Sequence, residues 1–237
     1  MSLMIGTERL RPAHSASYAG GSVVTLEARG LCGTVVDNVG LRARRGEVLG
    51  IAGLTGSGRE EILPLLFGAL PRHGAGAVLS VSVRENCVLS DSRRYLAKWG
   101  YVDRAAERGE VERWMSELDI RPRRPDAVFG TLSGGNQQKV VLAKWLRRGP
   151  EVLLLDEPSQ GVDVGAKAII HALARDVAAG GSCVVIASSD DAELCDTCDR
   201  VLVMRDGRIV AEVTAGRLTP EEIGRLQLQP SHPGQER

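Results

Sequence analysis

Gly53-Leu-Thr-Gly56-Ser57-Gly58-Arg59-Glu60 has the spacing of a phosphate-cradling loop, G-x-x-x-x-G-K-[ST], in which backbone N–H groups aim at an anion. The types depart from that pattern at two positions. Arg59 stands where the lysine belongs, and Glu60 stands where a hydroxyl would meet Mg2+, so a carboxylate faces the place where phosphate charge would lie. Taken alone, the stretch reads equally as a tight glycine turn with no ligand.

Two further stretches add to it. Leu132-Ser133-Gly134-Gly135-Asn136-Gln137-Gln138-Lys139 places a hydroxyl and open amides at the start of an expected helix, an arrangement that can hold a γ-phosphate. Glu151-Val-Leu-Leu-Leu-Asp156-Glu157-Pro158 delivers two acids to the end of an apolar strand. The first would serve Mg2+ and the second would polarise an attacking water.

Other candidates carry less. Cys195-Asp-Thr-Cys198 has the spacing of a redox pair or half a metal site, but no second C-x-x-C and no nearby His accompanies it. The pair is read as two small, half-buried residues of a helix. Five scattered cysteines are an odd number and poor material for a disulfide framework.

The elements that must position these residues follow from periodicity. Val23 to Ala28 and Gly46 to Gly53 read as strands, and Glu60 to Gly68 as a helix with Ile62, Leu63, Leu65 and Leu66 on its face. Glu107 to Leu118 is a second helix, stopped by Pro122 and Pro125. A helix over Asn136 to Arg148, a strand Val152 to Leu155, a helix Ala166 to Ala179 and a strand Cys183 to Ala187 continue a β-α-β alternation, which predicts a parallel sheet covered on both faces. Val201 to Met204, the Asp206-Gly207 turn and Arg208 to Val213 form a terminal hairpin. Thr219 then opens a short helix with Pro220 at its first position.

Composition bounds the function. Thirty Lys and Arg balance thirty Asp and Glu, so the electrostatic support for nucleic-acid binding is missing. Only two Phe, three Trp and three Tyr occur among 28 Gly, which requires an aliphatic core and many turns. No apolar run approaches bilayer length, and Met1 to Gly21 lack the apolar core of a signal peptide, so the expected location is the cytoplasm.

At this point the sequence resembles the ATP-binding cassette nucleotide-binding domains of transporters. Leu132 to Lys139 looks like the family's signature loop, Asp156-Glu157-Pro158 like its Walker B element and Gly161-Val162-Asp163 like its D-loop. Gly53 to Glu60 with Phe67-Gly68-Ala69-Leu70-Pro71, Ser82-Val-Arg-Glu-Asn86 and Gly161-Val-Asp-Val-Gly-Ala-Lys167 is similar to the second cassette of bacterial monosaccharide importers of the ribose, galactose and xylose type. The resemblance runs from about Val23 to Gln227.

It implies an α/β P-loop NTPase-like cassette with a mostly parallel sheet, a helical subdomain near residues 83–148 and a reduced antiparallel β part. Residues 1–21 would be a flexible leader or linker, 22–229 the nucleotide-binding domain and 230–237 a disordered tail. The implied cofactors are ATP and Mg2+. Gly53, Gly56, Ser57, Gly58, Arg59, Glu60, Ser133, Gly134, Gly135, Gln138 and Asp163 would be nucleotide contacts, Asp156 the metal ligand and Glu157 the catalytic residue. The implied partners are a second cassette, transmembrane permease subunits at the inner face of the membrane and, indirectly, a sugar-binding protein.

Three departures from a working ATPase accompany the resemblance. Arg59 and Glu60 are the first. Ala187-Ser-Ser189-Asp190 lacks the switch histidine, and Gly74-Ala-Gly76 passes almost directly into Leu79 to Asn86, where the family has a strand and a γ-phosphate-sensing loop. No aromatic residue near Thr34 to Asn38 is available to stack on adenine, so nucleotide is expected to bind weakly at this chain's own loop. The alternatives are a non-transport cassette that switches an interaction on nucleotide binding, and a truncated cassette without function.

Overall fold

The computed structural model describes residues 23–67, 77–89, 95, 102–162 and 164–229. The expected leader 1–21, the tail 230–237, Gly68 to Gly76 and Asp163 lie outside the described residues.

A hairpin opens the described chain. β1 (Val24–Leu31) and β2 (Val39–Arg44) pair antiparallel, with Val39, Leu41 and Ala43 buried and the residues between them exposed. This strict alternation marks a sheet with one wet face. β2 was not among the sequence expectations, although its period-two pattern is legible in Val39 to Arg44.

The second sheet holds β3 (Val48–Gly53), β4 (Val152–Asp156), β5 (Cys183–Ala187), β6 (Arg200–Arg205) and β7 (Arg208–Thr214), in the order β4-β5-β3-β6-β7. β3 pairs parallel with β5 and β6, β4 parallel with β5, and β7 antiparallel with β6. The mostly parallel sheet with a terminal hairpin is the arrangement expected from the alternation of elements. Every residue of β3 and β5 is buried, as strands covered on both faces require.

The two faces divide the core by parity. Val48, Ala52, Val184, Ile186, Val201 and Val203 turn toward α5 (Val164–Ala179), α6 (Asp191–Thr197) and α7 (Pro220–Leu228). Leu49, Ile51, Val185, Ala187, Leu202 and Met204 turn toward β1, β2 and α1 (Arg59–Leu66). A third cluster joins α2 (Val83–Val88), α3 (Arg104–Glu117) and α4 (Gly134–Leu146) through Val83, Cys87, Val111, Met115, Leu118 and Val140. Ser82 and Glu85 form a reciprocal cap at the start of α2, and Thr219 caps α7 with Pro220 in its first turn.

Among the described residues β4 is an edge of the second sheet, and no strand lies between α1 and α2. Beside that edge runs a groove of about 840 Å³ lined by Leu26, Leu66, Trp145, Leu154 and Asp156.

Candidate nucleotide site

The glycine loop leaves the end of β3 and enters α1 at Arg59. Gly56 and Gly58 have φ of 84° and 91°, a left-handed backbone that favours glycine. At Gly53 an added Cβ would stand 2.3 Å from Ser57 Oγ and 3.2 Å from the Met204 carbonyl oxygen, so the loop packs closely over a bare position.

The two unorthodox side chains have clear partners. Arg59 is 4% exposed; its Nε donates to the Gly53 carbonyl at 3.1 Å, and its Nη1 lies 2.8 Å from Glu157 Oε1. The Nη1 contact is an ion pair without hydrogen-bond alignment. Glu60 turns back over the loop, and its Oε1 accepts the Gly56 N–H at 2.6 Å.

Asp156 and Glu157 close the end of β4, where Glu157 N–H donates to the Ala187 carbonyl and extends the ladder with β5. Glu157 has φ 44°, a strained backbone for a residue with a Cβ. Its carboxylate accepts the Ser189 N–H at 3.0 Å. Desolvation pushes the Asp156 carboxyl upward; Arg59 opposes the shift, while Glu157 and Glu60 add to it. Arg59, Glu60, Asp156 and Glu157 therefore form one electrostatic cluster, drawn from two of the stretches singled out in the sequence.

The third stretch stands apart from that cluster. Ser133 precedes α4 and makes no side-chain bond to its helix's amides; its Oγ accepts Asn136 Nδ2 at 2.8 Å instead. Ser133 and Gly134 are exposed, and a Cβ at Gly134 would meet open space. Gln138 donates to the Pro158 carbonyl at 2.5 Å, tying α4 to the segment after β4.

Residues that the sequence did not assign to the site shape it as well. Glu61 Oε2 accepts the N–H groups of Val35 and Val36 at 3.0 and 3.1 Å, which pins the segment between β1 and β2 against α1. Gly207 N–H donates to the Ser57 carbonyl and its carbonyl accepts Asp37 N–H, both at 2.9 Å, so the β6-β7 turn braces the loop. Behind Ser189, the buried Glu193 is bonded to Ser188 Oγ at 2.5 Å and to His171 Nε2 at 3.1 Å. None of these pairings has a short-range sequence signal. Cys195 lies within α6 and Cys198 caps it; both are buried, deeper than the half-buried helix positions expected.

Comparison with known proteins places the whole arrangement. The family model for the ABC transporter matches residues 36–160, from the loop before β2 through both acids of β4. The chain belongs to the ABC transporter family. A putative ribose/galactose/methyl galactoside import ATP-binding protein of Agrobacterium fabrum is 40% identical over 218 residues, covering 78% of this chain and 44% of the relative. An arabinose import ATP-binding protein of Burkholderia ambifaria is 37% identical over 238 residues, covering 86% of this chain and 46% of the relative. The chain thus spans less than half the length of these relatives. A solved ATP-binding cassette in a dimeric post-hydrolysis state, bound to ADP and Pi, has a TM-score of 0.66 and 19% identity, covering 81% of this chain and 97% of that one. The ABC cassette's α/β fold is shared with it. No described helix is long and apolar enough to cross a membrane.

Proposed function

We propose that this chain is a nucleotide-binding cassette of a monosaccharide importer whose own glycine loop is degenerate and whose signature loop completes a site on a partner cassette. The relatives matched are named for sugar import, and the structural neighbour bound to ADP and Pi is a dimer. The observation that carries the reading is the contrast between the two anion-binding elements. At Ser133 and Gly134 the helix start is exposed, Gly135 behind them is half-buried, and no side chain caps its amides. At Gly53 to Glu60 the Gly56 amide and the Arg59 cation are already engaged by the chain's own carboxylates.

That loop, as arranged, does not fit magnesium-bound ATP. Asp156 remains as a metal ligand, but a carboxylate replaces the hydroxyl at position 60 and Arg59 faces Glu157 instead of the loop's hollow. The start of α4 does fit a γ-phosphate presented from outside, through Ser133 and the amides of Gly134 and Gly135. ATP and Mg2+ are therefore assigned to the partner's loop, with this chain lending donors across the interface. The permease subunits hold the pair at the inner membrane face, and sugar choice resides in the permease and its binding protein.

The test is Ser133→Arg in the transporter assembled with its permease and partner cassette. Bulk at an exposed helix start leaves this fold intact and blocks the approach of the second cassette, so ATP hydrolysis and transport are lost. Transport at the wild-type rate would overturn the reading.

A further inference from the structure

Glycine loops of this shape expose amides whose usual partner is a bound anion. In this chain the anion is covalently attached. Gly56, held at φ 84° with open space where a Cβ would be, donates its N–H to Glu60 Oε1 at 2.6 Å. Glu60 sits in the first turn of α1, where the helix dipole favours negative charge. Burial disfavours its ionisation, yet the amides of Gly56, Glu60 itself and Gly58, together with the Arg59 charge, outweigh that penalty and hold the carboxyl below its ordinary range. Two further loop groups are engaged internally. Ser57 N–H donates to the Leu54 carbonyl at 2.9 Å, and Arg59 is divided between the Gly53 carbonyl and Glu157.

We propose that Glu60 is an internal substitute for a phosphate oxygen, a tethered carboxylate that fills the loop, keeps it folded without nucleotide and must be displaced before any polyphosphate enters. The proposal rests on the reading of Gly53 to Glu60 as a degenerate nucleotide site and names what occupies it. Charge decides the competition: an incoming phosphate meets repulsion from Glu60 and loses the Gly56 amide, whereas the tethered group binds without the entropy cost of association. The Arg59 ion pair with Glu157 reinforces this by withholding the cation that a phosphate would need.

The probe is inorganic pyrophosphate without magnesium, titrated by calorimetry into the full chain and into Glu60→Ala and Glu60→Gln. Glu60 is exposed, so both variants retain the fold, which a thermal melt verifies; Glu60→Gln keeps the shape and removes only the charge. Wild type gives no binding at millimolar pyrophosphate, and both variants bind at least about tenfold more tightly than wild type. In parallel, the Gly56 amide proton resonance moves upfield in Glu60→Gln, because a charge-assisted hydrogen bond has been lost. A Gly56 resonance indifferent to Glu60→Gln, or variants that bind pyrophosphate no better than wild type, would overturn the proposal. Failure of the parent reading is seen elsewhere. If Ser133→Arg leaves transport intact while the Glu60 variants gain pyrophosphate, the partner-site assignment falls and the internal carboxylate stands.

Discussion

Arg59 Nη1 lies 2.8 Å from Oε1 of Glu157, joining the lysine position of the glycine loop's pattern to the acid that follows β4. The arginine is almost wholly buried and the glutamate mostly so, so removing either partner leaves the other charge poorly compensated. It also occupies the group assigned to polarise water. That carboxylate is already committed to the guanidinium and to the Ser189 N–H.

The isolated chain is accordingly expected to hydrolyse ATP far below about 1 s⁻¹, the lower range of ordinary enzymes. Glu157→Gln should leave that residual rate unchanged. A phosphate-release assay that finds turnover of about 1 s⁻¹ or more, abolished in Glu157→Gln, would contradict this.

Removing the cation costs stability, because three carboxylates are left together. Arg59→Ala is expected to lower the unfolding free energy by about 2 kcal/mol or more. Urea denaturation provides the measurement, and a double change with Glu157→Ala should recover part of the loss through the coupling of the pair.

Gly207 sits at φ 76° in the β6-β7 turn, and a Cβ there would stand 2.0 Å from the Val35 carbonyl oxygen. The atom is backbone and cannot swing aside. Gly207→Ala should cost about 2 kcal/mol or more from the clash and the left-handed backbone together. Amide exchange should show the loss concentrated in the segment between β1 and β2 and in the glycine loop it braces.

Acid sensitivity is expected from Glu193. Burial would raise its pKa, but hydrogen bonds from His171, Ser188 and Ser159 bring it below its ordinary value of 4.5. With the folded pKa depressed, the group's contribution is fully present above about pH 4.5 and is lost as pH falls through the folded value. Glu193→Gln should therefore lower stability at neutral pH and flatten the acid side of the profile of melting temperature against pH.

Thiol reactivity separates the cysteines. Burial pushes the Cys87, Cys183 and Cys195 thiols up to about 12 and raises Cys198 as well, whereas Cys32 is exposed. A thiol reagent applied to the native chain should modify Cys32 at once and the four others only on unfolding. Rapid modification of Cys195 or Cys198 would restore the redox reading of that pair.

Much of the architecture was legible because its signals are local. Cys183 to Ala187 is a strand with the bounds expected from its apolar run, and Pro220 opens α7 behind Thr219. β2, Val39 to Arg44, mixes Gly and two Arg with its apolar residues and is defined by its pairing with β1. The groove beside β4 became visible only when that strand was placed at the sheet edge.

The sequence by itself determined which residues could serve phosphate chemistry: the glycine spacing of 53–58, the serine and glycines at 133–135 and the acids at 156 and 157 each lie within one turn or one strand end, where short-range geometry fixes their placement. It also exposed Arg59 and Glu60 as departures. What those two side chains do was decided by the tertiary structure. The parallel pairing of β3 and β4 with β5 brings Arg59 against Glu157, and the left-handed glycines let Glu60 fold back onto the Gly56 amide. Long-range pairing and positive backbone angles are set by the packed core, so a one-dimensional pattern identifies the charges without saying which of them will neutralise which.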